Sequence, residues 1–491
     1  MNTKINENNI LLDTDSYKYS HPGQLPPDSE AASFYIEARK NNLGFQQSPK
    51  GVLFNGLQPI LHRLSTAFTA QDIDEAESLI MPHMGLFPRK SFEYILNTYG
   101  GIFPVKIYAP REGLVIPFGN ALTRVDVEDP QAISAVGFLE TMLMRVWYPG
   151  TVGTISKFCK DIIWEYLEKS CETPAEQIDF KLHDFGSRGV SSRESAGIGG
   201  MAHLINFKGT DTVAALVHAR NYYDADVAGF SIPAAEHSTI TSWGRAFERE
   251  AYANMVDLFG KKDALFAVVS DSYDLKHAVS HIWGEELKQK VVDSGAILVI
   301  RPDSGDPITQ VLQTANILAE KYGYTTNKLG YKVLNGVRII QGDGIDPVMI
   351  RRILIALVEI NHYSAENVAF GMGGALLQRC DRDTFSFAMK MSAIKRAGVW
   401  QDVYKDPVAG GKTSKRGILE LVYDRTTANK MFNHYKTVKQ DEVTASQSKL
   451  FRCVFDGTHG NRDGLGPRRR TQNLMDLRIN SMLTEPDYFV A

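Results

Sequence analysis

The sequence predicts an α/β fold with a central barrel-like domain, and two patterns carry that prediction. Short apolar runs ending in Gly, Asp or Ser recur at 181–185, 227–230, 265–270, 296–301, 337–341 and 367–370. Amphipathic stretches lie between them, among them 236–259, 307–322 and 347–361. Strands alternating with helices read as a parallel sheet. The flanks differ. Residues 102–128 alternate in β fashion between Pro and Gly turns, and residues 400–460 mix short strands with turns. The expected division is an N-terminal α+β part at 1–149, a catalytic barrel at 150–395, and a C-terminal segment at 396–491 packing with the N-terminal part.

Two helix starts are written in the residues. Asp306 precedes Pro307 and Asp346 precedes Pro347. Each is an N-cap acid followed by a proline whose missing N–H costs nothing in the first turn. Both follow a strand closely, so the loops leaving the C-terminal strand ends are short, polar and Gly-rich.

At 491 residues the chain can build two or three domains with large cores. A net charge of −3 gives no general argument for nucleic acid or an anionic membrane, and neither is an expected partner. The only dense basic run, Arg468, Arg469 and Arg470, reads as a solvated tail. Cys159, Cys171, Cys380 and Cys453 show no CxxC spacing, which argues against a zinc site or a disulfide framework. The N-terminal stretch has no apolar signal core, and no apolar run is long enough to span a bilayer. The expected location is the cytoplasm.

Chemistry concentrates at five strand ends: the Phe185/Arg188 turn, Ser270 to Asp274, Arg301 to Gly305, Gly342–Asp343–Gly344, and Gly371–Met372–Gly373–Gly374. In a barrel these open on one face, where active sites are built. Phe185 can stack on a planar ring, Arg188 can fork onto oxyanions, and Asp211 can accept from an amide NH2. A lone FGMGG is satisfied by a tight βα turn. Beside Gly342–Asp343–Gly344, its glycines, running into a helix whose N-terminus adds a dipole, suit a phosphate cradle. Asp303 and Asp343 suit ribose hydroxyls or the water around magnesium. His237 lies at an expected helix start, and a single His is more often structural than functional.

The ordered motifs LLDTDSYKYSH, FYIEAR, KLHDFGSRGVSS, NFKGTDT, PAAEHSTITSWG, VVSDSYD, IRPDSGDP, IIQGDGID, AFGMGGALLQ and YKDPV resemble the nicotinamide phosphoribosyltransferase family. The resemblance implies a type II phosphoribosyltransferase fold, an irregular TIM-like α/β barrel. It implies conversion of nicotinamide and 5-phosphoribosyl 1-pyrophosphate to nicotinamide mononucleotide and pyrophosphate, by a homodimer with active sites at the interface. Magnesium is the implied cofactor, with ATP optional. By the same resemblance Phe185 is one face of a nicotinamide sandwich and Tyr17 of the partner subunit is the other. Asp211 binds the carboxamide, and Arg188 sits near the ring and phosphates. Asp303 and Asp343 are ribose and magnesium-side contacts, with Ser270, Arg301 and Gly342 beside them. Gly373 and Gly374 cradle the 5′-phosphate. Arg39, Arg382, Lys390 and Lys405 form the phosphate and pyrophosphate cluster, partly from the partner, and His237 is the residue phosphorylated by ATP. The chain departs from the family pattern at Ser187 and Met372, and the motifs fade after about residue 425.

The alternatives are nicotinate phosphoribosyltransferase on the same fold and a non-catalytic ligand-binding relative. Asp211 argues against the first. A carboxylate facing a substrate carboxylate at about 4 Å costs on the order of 4 kcal/mol at an effective dielectric near 20. Intact Asp303, Asp343, His237 and Arg382 argue against the second.

Overall fold

The computed structural model describes residues 4–44, 48–407, 414–424, 426, 434–461 and 466–483. The chain divides into two compact units. Residues Val152–Asn221 and Ala225–Cys380 form the barrel, and Met1–Thr151, Tyr222–Asp224 and Asp381–Ala491 form the other.

The barrel contains six parallel strands: β1 (Leu182–Asp184), β2 (Gly209–Thr210), β3 (Leu265–Val269), β4 (Ile297–Arg301), β5 (Val337–Gln341) and β6 (Val368–Met372). Their order in the sheet is β2-β1-β6-β5-β4-β3. The gap between β2 and β3 is closed by the segment around 227–235. Phe230 bridges Gly209 and Ala234 bridges Ala267, both in the parallel sense. The strand expected at 227–230 is thus a single-bridge stave rather than a ladder. Pro233 accepts from the Ala267 N–H at 2.9 Å but has no N–H to return.

Strands β3, β4 and β5 are almost uninterrupted apolar runs because both faces are covered. Phe266, Val268, Leu298, Ile300, Val337 and Ile339 are wholly buried. Helix Pro307–Tyr322 begins where its cap predicts, with Asp306 accepting the Thr309 N–H at 2.8 Å. It buries Val311, Thr314, Ala315 and Leu318 along one stripe. Helix Pro347–Leu354 is capped by Asp346, which accepts the Met349 N–H at 2.8 Å, and runs on as a π turn, Ile355–Ile360. The single helix expected at 236–259 is interrupted. It is His237–Thr241, then a 3-10 turn Arg245–Phe247, then Glu248–Phe259. Gly244 sits at φ +84°, a left-handed conformation that no helix can pass through.

The other unit is built on a seven-stranded sheet in the order Val399–Asp402, Phe387–Arg396, Ser29–Ala38, Ala121–Val127, Val105–Ala109, Arg452–Asp456, Arg468–Arg469. The barrel unit ends at Cys380, earlier than the expected 395. The reason is pairing distant in sequence: Phe387–Arg396 runs antiparallel to Ser29–Ala38, with Tyr35 opposite Lys390. Arg468 and Arg469 are exposed, as a solvated tail would be, yet they form an edge strand against Phe455 and Asp456. In the same unit Glu112 is buried, which pushes its carboxyl up in pKa. It accepts from the Tyr223 hydroxyl at 2.8 Å and from the Gly56 and Gln58 N–H groups.

The cap at Asp346 gives the first prediction. Asp346→Ala should lower stability by about 1 kcal/mol, read as a shifted urea midpoint at unchanged slope.

Candidate active site

The C-terminal ends of the barrel strands gather most of the predicted residues. Phe185 follows β1, and its N–H donates to the Met372 carbonyl at 3.1 Å. Its ring lies flush on the backbone of β6. A Cβ placed on Gly371 would stand 2.0 Å from that ring, so only glycine fits. The Arg301 guanidinium lies 5.7 Å from the ring centroid. Arg301 also forks onto Asp303, at 3.1 and 2.8 Å. Gly342 completes the cluster: a Cβ there would lie 3.3 Å from Asp303 and 3.5 Å from Phe185.

A second group adjoins it through Asp303. His237, half-exposed, places Nε2 at 3.0 Å from Asp271 and Nδ1 at 3.9 Å from Asp303. The Asp271 side chain is 3% exposed, and its other oxygen accepts the Asp303 N–H at 2.9 Å and the Ser304 hydroxyl at 2.5 Å. Sequence reasoning placed Asp271 in a polar strand-end loop without giving it a role, because aspartate is ordinary turn chemistry there. His237 is the first residue of its helix as expected, but the helix has five residues and offers little dipole.

Asp211 follows β2. Its N–H donates to the Asp184 carbonyl at 3.0 Å. Its exposed carboxylate accepts the Ser231 hydroxyl through Oδ1. Arg188 is exposed on the 3-10 turn Ser187–Gly189. That turn abuts the glycine loop, since a Cβ on Gly189 would be 3.3 Å from Gly374. Gly374 itself faces open space, which suits a cradle. The helix it opens, Gly374–Leu377, is a single turn, so the dipole expected there is small.

Two predicted residues sit differently. Ser270 points inward: its hydroxyl donates to Val268 O at 3.0 Å and accepts from the Trp283 indole at 3.1 Å. Its side chain is wholly buried. Asp343 is exposed, and its carbonyl accepts from Gln341 at 3.1 Å.

The second unit carries the remaining residues. The Arg39 N–H donates to Ser386 O at 3.4 Å, which ties the end of Ser29–Ala38 to the entry of Phe387–Arg396. Arg39 and Lys415 both pair with buried Glu37, Arg39 at 2.8 Å. Arg382, paired at 3.2 Å with Asp383, is exposed, as are Lys390 and Lys405. Tyr17 is 58% exposed, with its ring edge-on to His21 at 5.3 Å.

With this geometry in place, the comparisons with known proteins are specific. The chain matches the Nicotinate phosphoribosyltransferase (NAPRTase) family over residues 180–451. It matches the Nicotinamide phosphoribosyltransferase, N-terminal domain, over residues 9–107. It is 49% identical over 437 residues to the nicotinamide phosphoribosyltransferase of Xanthomonas campestris pv. campestris, covering 89% of this chain and 91% of that one. The nicotinamide phosphoribosyltransferase of Mycoplasma pneumoniae is 29% identical over 432 residues, covering 81% and 92%. In fold the chain resembles the nicotinate-nucleotide pyrophosphorylase of Pyrococcus furiosus, with a TM-score of 0.62 at 13% identity, covering 98% and 96%. It also resembles human nicotinic acid phosphoribosyltransferase, with a TM-score of 0.56 at 17% identity, covering 96% and 93%. The family match runs to residue 451, past the point near 425 where the motifs fade.

The contact between Phe185 and Gly371 gives the second prediction. Gly371→Ala should cost about 1–3 kcal/mol by overpacking and displace the Phe185 ring, read by urea unfolding and near-UV circular dichroism.

Proposed function

The chain belongs to the nicotinate/nicotinamide phosphoribosyltransferase family, and from that premise we propose that it joins nicotinamide to 5-phosphoribosyl 1-pyrophosphate. The products are nicotinamide mononucleotide and pyrophosphate, and the step serves NAD biosynthesis. The observation that carries the choice of base is the exposed Asp211 carboxylate on the strand end next to Phe185. Oδ1 takes the Ser231 hydroxyl, and Oδ2 makes no hydrogen bond among the described residues. It can accept from a carboxamide NH2 and repels a carboxylate.

The chemistry asks for electrostatics rather than a base. The pyridine nitrogen carries no proton. Its lone pair forms the bond to C1 of the ribose as the C1–O bond breaks, and pyrophosphate leaves with the electron pair. Phe185 stacks on the ring and fixes its plane, Arg188 neutralises phosphate, and Gly373 and Gly374 leave room for the 5′-phosphate. Arg301 fixes Asp303 at the ribose side, and Ser270 acts by packing against Trp283. Arg39, Arg382, Lys390 and Lys405 meet the pyrophosphate. In this reading the enzyme is a cytoplasmic homodimer, with Tyr17 and part of the basic cluster supplied by the partner subunit.

Among the described residues no group of three or more His, Cys, Asp or Glu is arranged to hold a metal ion. Magnesium fits in its other common mode, through one or two carboxylates plus substrate phosphates and water. Asp343 is the exposed carboxylate suited to it, whereas both oxygens of Asp303 are engaged by Arg301. Bound there, magnesium would neutralise charge on the pyrophosphate.

ATP coupling is the finer part of the proposal. Half-exposed His237, oriented by Asp271, is the phosphoryl acceptor. His237→Ala should abolish stimulation by ATP while basal synthesis continues. Mass spectrometry after incubation with ATP checks it, and phosphate on another residue removes the role.

The test of the base assignment is a side-by-side assay of nicotinamide and nicotinic acid. Wild-type enzyme should strongly prefer nicotinamide. In Asp211→Asn the ratio of catalytic efficiencies should drop at least about tenfold, roughly 1.4 kcal/mol, mostly through gained nicotinic acid use. An unchanged ratio in a folded variant would place specificity elsewhere.

A further inference from the structure

Asp184 closes β1 and immediately precedes Phe185. Its side chain is wholly buried, which is rare for a carboxylate. It is bound to both halves of the base-recognising face. Oδ1 accepts the Gly186 N–H at 2.7 Å, an Asx-type turn that fixes the chain between Phe185 and Arg188. Its backbone carbonyl accepts the Asp211 N–H at 3.0 Å. Helix Arg193–Leu204 leaves space for it, since a Cβ on Gly200 would come within 3.0 Å of Oδ2. Oδ2 is enclosed and accepts no hydrogen bond of normal geometry. The Thr212 and Thr210 hydroxyls nevertheless adjoin the carboxyl and favour its ionised form.

Burial is the largest influence on this carboxyl and pushes it up to about 6. The Gly186 N–H and the Thr212 hydroxyl pull it down, and the Asp211 charge pushes it up. Asp184 is therefore mainly neutral in mildly acid solution and mainly ionised above neutrality. The other titratable or charged groups on the surrounding elements are His183 on β1, Arg193, Glu194 and His203 on helix Arg193–Leu204, His218, Arg220, Tyr222 and Tyr223 on helix Val213–Tyr223, and exposed Arg188. Burial lowers the pKa of all three histidines, to about 3 for His203 and about 4 for His218, so those two stay uncharged across that range; His183 is lowered in the same direction, against the pull of the Asp211 charge.

We propose that Asp184 is a positioning and specificity-determining residue: it holds the Phe185 turn and Asp211 in register, and its ionisation places a second negative charge behind Asp211 that strengthens rejection of anionic bases. The proposal rests on the nicotinamide reading of the site. It adds a residue that touches no substrate and a pH dependence that Asp211 alone does not require.

The test is the ratio of catalytic efficiencies, nicotinamide over nicotinic acid, measured from pH 5.5 to 7.5 in wild type and Asp184→Asn. Asparagine keeps the acceptor for Gly186 and removes the charge. Wild type should show a rise of roughly three- to tenfold with pH, and the variant should be flat at the low-pH value. Asp184→Ala also loses the acceptor. It should raise the KM for nicotinamide at least about tenfold with a smaller change in kcat, a split that Asp184→Asn should not show. A flat wild-type ratio, or an equal rise in Asp184→Asn, overturns the proposal while leaving the nicotinamide reading intact. Wild-type enzyme that turns over neither base, or prefers nicotinic acid throughout, overturns both.

Discussion

The catalytic end of the barrel depends on one nearly buried carboxylate. Asp271 accepts from His237, from the Asp303 backbone N–H and from the Ser304 hydroxyl. A charge withdrawn from water is tolerated only when its lone pairs are occupied, and hydrogen bonds to a charge are the strong ones. The consequence is geometric. The loops after β3 and β4 and the short helix His237–Thr241 are held to one point. Asp303 is then fixed twice, by its own N–H to Asp271 and by the Arg301 fork on its carboxylate. Arg301 in turn lies near the Phe185 ring. One chain of contacts thus runs from His237 to Phe185, in the proposal from the phosphoryl acceptor to the ring that stacks on the base.

Legibility in the sequence followed the range of the interactions. Strand β5 and helix Pro307–Tyr322 have the bounds that their apolar run and Asp-Pro start predict, because apolar pattern and capping are local. The helix expected at 236–259 hid a break, since the left-handed turn at Gly244 has no signal beyond one glycine in a helical pattern. The segment at 227–230 was read as a strand, and only the pairing shows that the stretch through Pro233 makes isolated bridges. The barrel boundary was misplaced because Phe387–Arg396 pairs with Ser29–Ala38, more than three hundred residues away. No local pattern records that choice.

The site divides the same way. Phe185, Arg301, Asp303, Gly342 and His237 were legible because each is an unusual group at a strand or helix end, and the barrel brings them together. Gly371 and Asp184 were not, because their value lies in what touches them. Gly371 reads as turn chemistry until a phenyl ring is found on its backbone. Asp184 reads as half of an HD pair until its carboxyl is found buried under the turn it organises. Ser270, placed by the resemblance beside the ribose-side residues, has its hydroxyl wholly buried and bonded to Trp283, a contact no local pattern records.

The distribution of charge matches the reaction as a whole. The barrel's strand ends are dominated by carboxylates, Asp211, Asp271, Asp303 and Asp343, with Arg188 and Arg301 among them. The other unit, taken by itself, carries Arg39, Arg382, Lys390 and Lys405, the cations that the proposal assigns to pyrophosphate. The reaction separates charge: the sugar and ring become positive as the bond to pyrophosphate lengthens, and the departing group becomes more negative. In the proposed reaction, carboxylates near the ring and ribose would favour the first, and cations at the pyrophosphate the second. With a net charge of −3 the chain as a whole is nearly neutral. In the proposal, specificity therefore comes from where each sign is fixed, not from an overall field.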